Sequence, residues 1–305
     1  MEEFAPAHPS LMPVPVLALR ARSPALADPP MTAALTALHA LLLAAAPADT
    51  IPVPAGYELA WSDEFDRAGA PDTASWNFER GFVRNEEDQW YQPQNARVEG
   101  GMLIIEGKRE RIPNPTFDST ATDWRRSRRF AEYTSASINT RGHHSWQYGR
   151  FEMRARIDTR SGLWPAFWTL GTSGRWPANG EIDIMEYYRG MLLANVAWAD
   201  SSHRAVWDDT RLPITKLGAD WSKSFHVWRM DWDENEIRLY VDDQLLNTTE
   251  LRTTFNGDAE RRNPLRQPHY ILLNLAIGGA NGGDPSVTTF PSRYEVDWVR
   301  VYRKK

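Results

Sequence analysis

Short runs along most of this chain alternate apolar and polar residues. FHVWRMDW (225–232) and YEVDWVRVY (294–302) alternate cleanly, at the period of a strand with one buried face. YELAWSDEF (57–65), GMLIIEGKRE (101–110), YTSASINTR (133–141) and YGRFEMRARI (148–157) are similar runs, rich in β-branched or aromatic residues. FWTLG (167–171), EIDIMEYY (181–188), LLANVAWAD (192–200), EIRLYVDDQLL (236–246) and YILLNLAIGG (270–279) continue the series. Gly, Pro, Asn and Asp fill the gaps, and Asp233 to Asn235 reads as a hairpin turn. IPNPTFDSTATDWRRSRR (112–129) is polar and irregular, and it predicts a long surface loop. Helical periodicity is confined to residues 32–46.

This pattern predicts an all-β protein in which two antiparallel sheets pack face to face as a jelly-roll sandwich. No shift in composition divides the chain after Gly56, so residues 49–305 read as a single domain. The first 48 residues form a separate extension. Residues 31–48 have the form of a signal peptide: Ala33 to Ala46 is almost wholly apolar, and Ala46-Pro47-Ala48 has the small-x-small form of a cleavage site. The run is too short to span a membrane comfortably, and a secreted product is the expectation.

Composition narrows the function. The net charge is -5 and the two signs are interspersed, which excludes the basic face of a nucleic-acid binder. There are no cysteines, so disulfides, zinc thiolates and a thiol nucleophile are excluded. The 14 Trp and 10 Tyr suit a protein that stacks rings on sugars.

The candidate chemistry lies in GEIDIMEYY (180–188). On a regular strand Glu181 and Asp183 share a face, Ile182 and Ile184 take the other, and Glu186 falls with the isoleucines. An extra residue at Ile184–Met185, a β-bulge, would return Glu186 to the acidic face. Two carboxyls about 5–5.5 Å apart are the geometry of a retaining glycosidase. A middle Asp would help keep one charged and the other protonated. Spacing alone also suits an ordinary strand with solvated carboxylates. Aromatic flanks (Trp176, Tyr187, Tyr188) and the bend implied by Gly180 favour a site.

The stretch resembles the bulged E-x-D-x-x-E signature of glycoside hydrolase family 16. WSDEFD (61–66), NARVEGGMLIIEGKRE (95–110), GLWPAFWTLG (162–171), LLNLAIGG (272–279) and YEVDWVRVYR (294–303) are similar to other blocks of the family, in family order. The resemblance implies a jelly roll with a concave substrate cleft. It also implies retaining cleavage of internal β-linkages, with Glu181 as nucleophile, Glu186 as acid/base and Asp183 assisting. Trp176 is similar to the family's sugar-stacking Trp, and Asn85 in RNEEDQWY to a residue that binds a sugar hydroxyl. In GLWPAFW, Trp164, Ala166 and Trp168 share a face, and Trp164 is expected to be the more exposed ring. Asn195 and Trp198 stand where many relatives carry His or Tyr, and both are expected in the cleft. Glu64, the Gly101 carbonyl and Asp297 match the positions that hold a structural Ca²⁺, and no cofactor is expected for catalysis.

The expected activity is a secreted, monomeric endo-β-glucanase acting on β-1,3-glucan or mixed β-1,3/1,4-glucan, with no nucleic-acid or membrane partner. The alternatives are a hydrolase of agar or carrageenan, kept open by the basic cluster WRRSRR (124–129), and a non-catalytic carbohydrate-binding jelly roll. The adjacent His143 and His144 point opposite ways on a strand, which disfavours a shared metal.

Overall fold

Gly149–Arg156 buries every second residue, with Phe151, Met153 and Ala155 inward, and His226–Trp232 does the same with Trp228, Met230 and Trp232. A computed structural model describes residues 51–305, so the expected signal segment at 31–48 lies outside the described residues. One sheet has eight strands. Its order is Gln244–Glu250, Glu236–Val241, His226–Trp232, Gly149–Arg156, Ser292–Lys304, Met102–Gly107, Ala96–Glu99, with Tyr57–Asp63 also paired to Ser292–Lys304. The other has seven, in the order Ala205–Pro213, Met191–Ala199, Glu181–Tyr188, Leu163–Gly171, His269–Ile277, Ser137–Asn139, Asn77–Phe78. Every pairing within the two sheets is antiparallel. The fold is a β-jelly-roll sandwich.

The core lies between the sheets. Phe151, Met153, Trp228 and Met230 from the first face Ile182, Val196, Leu273 and Leu275 from the second. Burying one such side chain contributes about 1.5–3 kcal/mol, which fixes the register of each strand. Asn247 crosses between the sheets and donates to the Ala194 carbonyl at 3.0 Å. The Asp233–Asn235 turn forms as expected, with the Asp233 carboxylate accepting from the Asn235 N–H at 2.9 Å.

Two expectations need correction. Ala205–Pro213 is a full edge strand, absent from the sequence reading. The 112–129 segment is more ordered than a plain loop: Ile112–Pro113 pairs with Phe130–Ala131, and Trp124–Ser127 makes one helical turn capped by Asp123.

Candidate active site

Ile184 and Met185 are consecutive, yet both lie fully buried in the core. This is the bulge. Against Met191–Ala199, Asp183 pairs with Asn195 and Glu186 with Leu193, so three steps on one strand oppose two on the other. Against Leu163–Gly171, Asp183 pairs with Trp168 and Met185 with Phe167, two steps against one. The extra residue rotates the strand by one position, and Glu181, Asp183 and Glu186 all line one cleft of ≈ 670 Å³ on the outer face of the seven-stranded sheet. Gly180 immediately precedes the strand at φ +77, where a Cβ would press on Pro264 at 3.0 Å.

The three acids sit in different electrostatic surroundings. Burial raises the Glu181 pKa, but hydrogen bonds from Asp183 and the Trp176 indole and the charge of Arg84 pull it back. Asp183, only 4% exposed, is held well above the usual carboxylate range by burial and by the charges of Glu181 and Glu186. Glu186 is pushed up to about 8, chiefly by burial; the Trp164 indole N–H, 2.7 Å from its Oε1, opposes that, and the Glu181 charge adds to it. Glu181 stays above its ordinary value through burial, while its three partners favour the charged form. Glu186 keeps its proton at neutral pH, and Asp183 donates to Glu181. Three carboxyls with unequal surroundings therefore stand in one row, the kind of arrangement that separates an acid from a base.

Asn85, Trp164, Trp176 and Asn195 line the cleft. Asn85 lies at φ +55, and its carbonyl accepts from the Ala280 N–H at 2.8 Å. Trp176 is 53% exposed, free to stack on a sugar face while its N–H holds Glu181. Asn195 accepts from the Thr210 N–H at 3.2 Å.

Two expectations fail. Trp164 is 5% exposed and Trp168 7%, so neither is an open ring; Trp164 serves to orient Glu186, and Trp168 donates to Asn274 at 2.7 Å. Trp198 packs against the core, because it lies three positions from Asn195 and a strand sends such a pair to opposite faces. The cleft also contains Tyr188, named above only as an aromatic flank, and Arg84, Glu87, Trp207, Asp209 and Arg211, which sequence reasoning missed. The last three alternate along AVWDDTRLP, a signal that was available.

The basic cluster does not line the cleft. Arg125 donates to the Val83 carbonyl at 2.7 Å, and Arg128 to the Glu86 carbonyl at 2.7 Å and the Glu87 carbonyl at 2.5 Å. These arginines strap down the loop that carries Asn85. The adjacent histidines separate as expected, His143 toward Asn77 at 3.2 Å and His144 toward Ser75 at 3.3 Å.

The three expected calcium ligands sit at or beside neighbouring register positions of Ser292–Lys304. Glu64 follows Asp63, which pairs with Val299; Gly101 precedes Met102, whose neighbour Leu103 pairs with Val296; Asp297 lies between those two partners. Arg300 holds both Glu64 oxygens, at 3.0 and 2.7 Å, and Arg154 holds Asp297.

The sequence model for glycosyl hydrolases family 16 matches residues 114–300, and the chain belongs to that family. A beta-glucanase of Rhodothermus marinus is 37% identical over 266 residues, covering 81% of this chain and 85% of the relative. A structure from work on endo-acting O-glycanases of the human gut microbiota, which initiate mucin breakdown, superposes with a TM-score of 0.76 at 33% identity, covering 83% of this chain and 93% of that one. SCLam, a non-specific endo-β-1,3(4)-glucanase, superposes at 0.68 with 33% identity, covering 84% of this chain and 94% of that one. The chain is a glycoside hydrolase.

Proposed function

We propose that the chain is a retaining endo-β-glucanase acting on β-1,3-glucan or mixed β-1,3/1,4-glucan. The row Glu181–Asp183–Glu186, brought onto one face by the bulge and set in unequal surroundings, carries this reading. Glu181 attacks the anomeric carbon while Glu186 gives its proton to the departing glycosidic oxygen. The glycosyl ester on Glu181 is then cleaved by water, whose proton returns to Glu186. Two inversions leave the configuration retained.

The glucanase names of the relatives support glucan as substrate. So does charge. Five carboxyl side chains (Glu87, Glu181, Asp183, Glu186, Asp209) line the cleft against two arginines, Arg84 and Arg211. Among the described residues both cleft arginines already carry a carboxylate partner, Arg84 with Glu79 and Arg211 with Asp209, which disfavours a sulfated galactan. Reducing-end release from laminarin, barley glucan, agarose, carrageenan and mucin tests the reading. Activity on either glucan, and little on the rest, is expected; activity confined to the galactose-containing polymers overturns it.

Calcium and export belong to the same proposal. Two carboxylates and a carbonyl would supply the oxygen donors that Ca²⁺ takes, and the ion would have to displace Arg300 and Arg154 from Glu64 and Asp297. It would staple strands far from the chemistry. EDTA should therefore lower Tm without changing the initial rate; a Tm that moves with neither EDTA nor added Ca²⁺ means that the arginines hold the carboxylates alone. Export is supported by the apolar run ending at Ala46-Pro47-Ala48, and the secreted protein should begin near Asp49. An active protein that keeps Met1 contradicts this.

A further inference from the structure

The register of three strands sets a second row of side chains beside the catalytic one. Glu181 pairs with Ala197, and Ala197 with Trp207. Asp183 pairs with Asn195, and Asn195 with Asp209. Glu186 pairs with Leu193, and Leu193 with Arg211. Trp207, Asp209 and Arg211 thus repeat the order of the three acids two strand spacings away, roughly 10 Å across the sheet. Ala197, Asn195 and Leu193 form the floor between the rows.

The edge strand is held so that this row faces outward. Its intervening residue Asp208 is tied to the other sheet, accepting from the Thr249 hydroxyl at 2.8 Å, and the Thr210 N–H is tied to Asn195. Trp207 is left 43% exposed on the cleft wall, with no core to fill. Asp209 and Arg211 pair at 2.9 Å, so together they are neutral and offer acceptors and donors side by side.

We infer that Trp207, Asp209 and Arg211 build a sugar subsite one step beyond the site of cleavage, specific for an uncharged pyranose of a β-linked chain. The indole stacks on the apolar face of the ring, and the Asp209–Arg211 pair meets its hydroxyls. A chain long enough to cover both rows gains this contact in addition to those of the catalytic row, and a shorter one held at the catalytic row does not. The subsite therefore selects for chain length and favours internal cleavage. The inference rests on the glucanase reading proposed above.

Calorimetry on the inactive Glu181→Gln protein tests it, with β-1,3-gluco-oligosaccharides of increasing length. In that background Trp207→Ala should weaken binding of the longest oligosaccharides about 5- to 10-fold, and that of the shortest less than about twofold. Trp207→Phe, which keeps a ring, should recover most of the loss. Equal weakening at every length, or none at any, overturns the subsite. If Glu181→Gln with Trp207 intact binds no gluco-oligosaccharide, the glucanase reading fails instead.

Discussion

Replacing Glu181 with glutamine should lower kcat/KM on glucan on the order of 10⁵–10⁶-fold, the scale on which loss of a covalent nucleophile acts. An amide cannot form the glycosyl ester. It can still accept the Trp176 N–H, so the side chain should stay in place and oligosaccharide binding should survive. Circular dichroism and calorimetry separate these outcomes from unfolding. A Glu181→Gln protein with more than a few per cent of wild-type activity would remove Glu181 from the mechanism.

Glu186→Ala should cost on the order of 10²–10⁴-fold on glucan, the range for loss of a general acid/base. An aryl glycoside with a good leaving group needs no acid in the first step, so its glycosyl ester should still form. Azide should then attack that ester in place of the activated water and give a β-glycosyl azide. Failure of any rescue would argue against the acid/base role. The same residue sets the pH profile. The donor must be protonated, so kcat/KM should fall as pH rises through about 8, and the alkaline limb should vanish in Glu186→Ala assayed on the aryl glycoside. Stability has a matching sign. The folded state raises the Glu186 pKa from 4.5 to about 8, so it binds the proton more tightly than the unfolded chain between those values. Ionising Glu186 thus destabilises the fold as pH climbs. Glu186→Gln should raise Tm at pH 8 and give no such gain below pH 4.5.

The sheets were legible because burial imposes a period of two, and His226–Trp232 shows that period without interruption. The bulge was legible because a misplaced acid, Glu186, marked it, and the paired burial of Ile184 and Met185 is its physical form. Ala205–Pro213 was obscured by polar residues on both of its faces: Asp208 turns toward Thr249 while Asp209 turns to the cleft. Trp164 was misjudged for a different reason. Periodicity tells which face a residue takes, but not what covers that face, and here Tyr188 packs edge-on against the indole, centroid to centroid 5.4 Å. The basic cluster at 124–129 was ambiguous because its hydrogen-bond partners are backbone carbonyls, which leave no trace in side-chain chemistry.

The central claim is that the bulge lines up three carboxyls so that Glu181 forms a covalent glycosyl ester. Trapping tests it most directly. A 2-deoxy-2-fluoro β-laminaribioside with a dinitrophenyl leaving group should let the first step run and stall the second. Peptide mapping by mass spectrometry should then find one disaccharide adduct, on Glu181. An adduct on Asp183 or Glu186, or turnover of glucan to an inverted product with no adduct, would contradict the account.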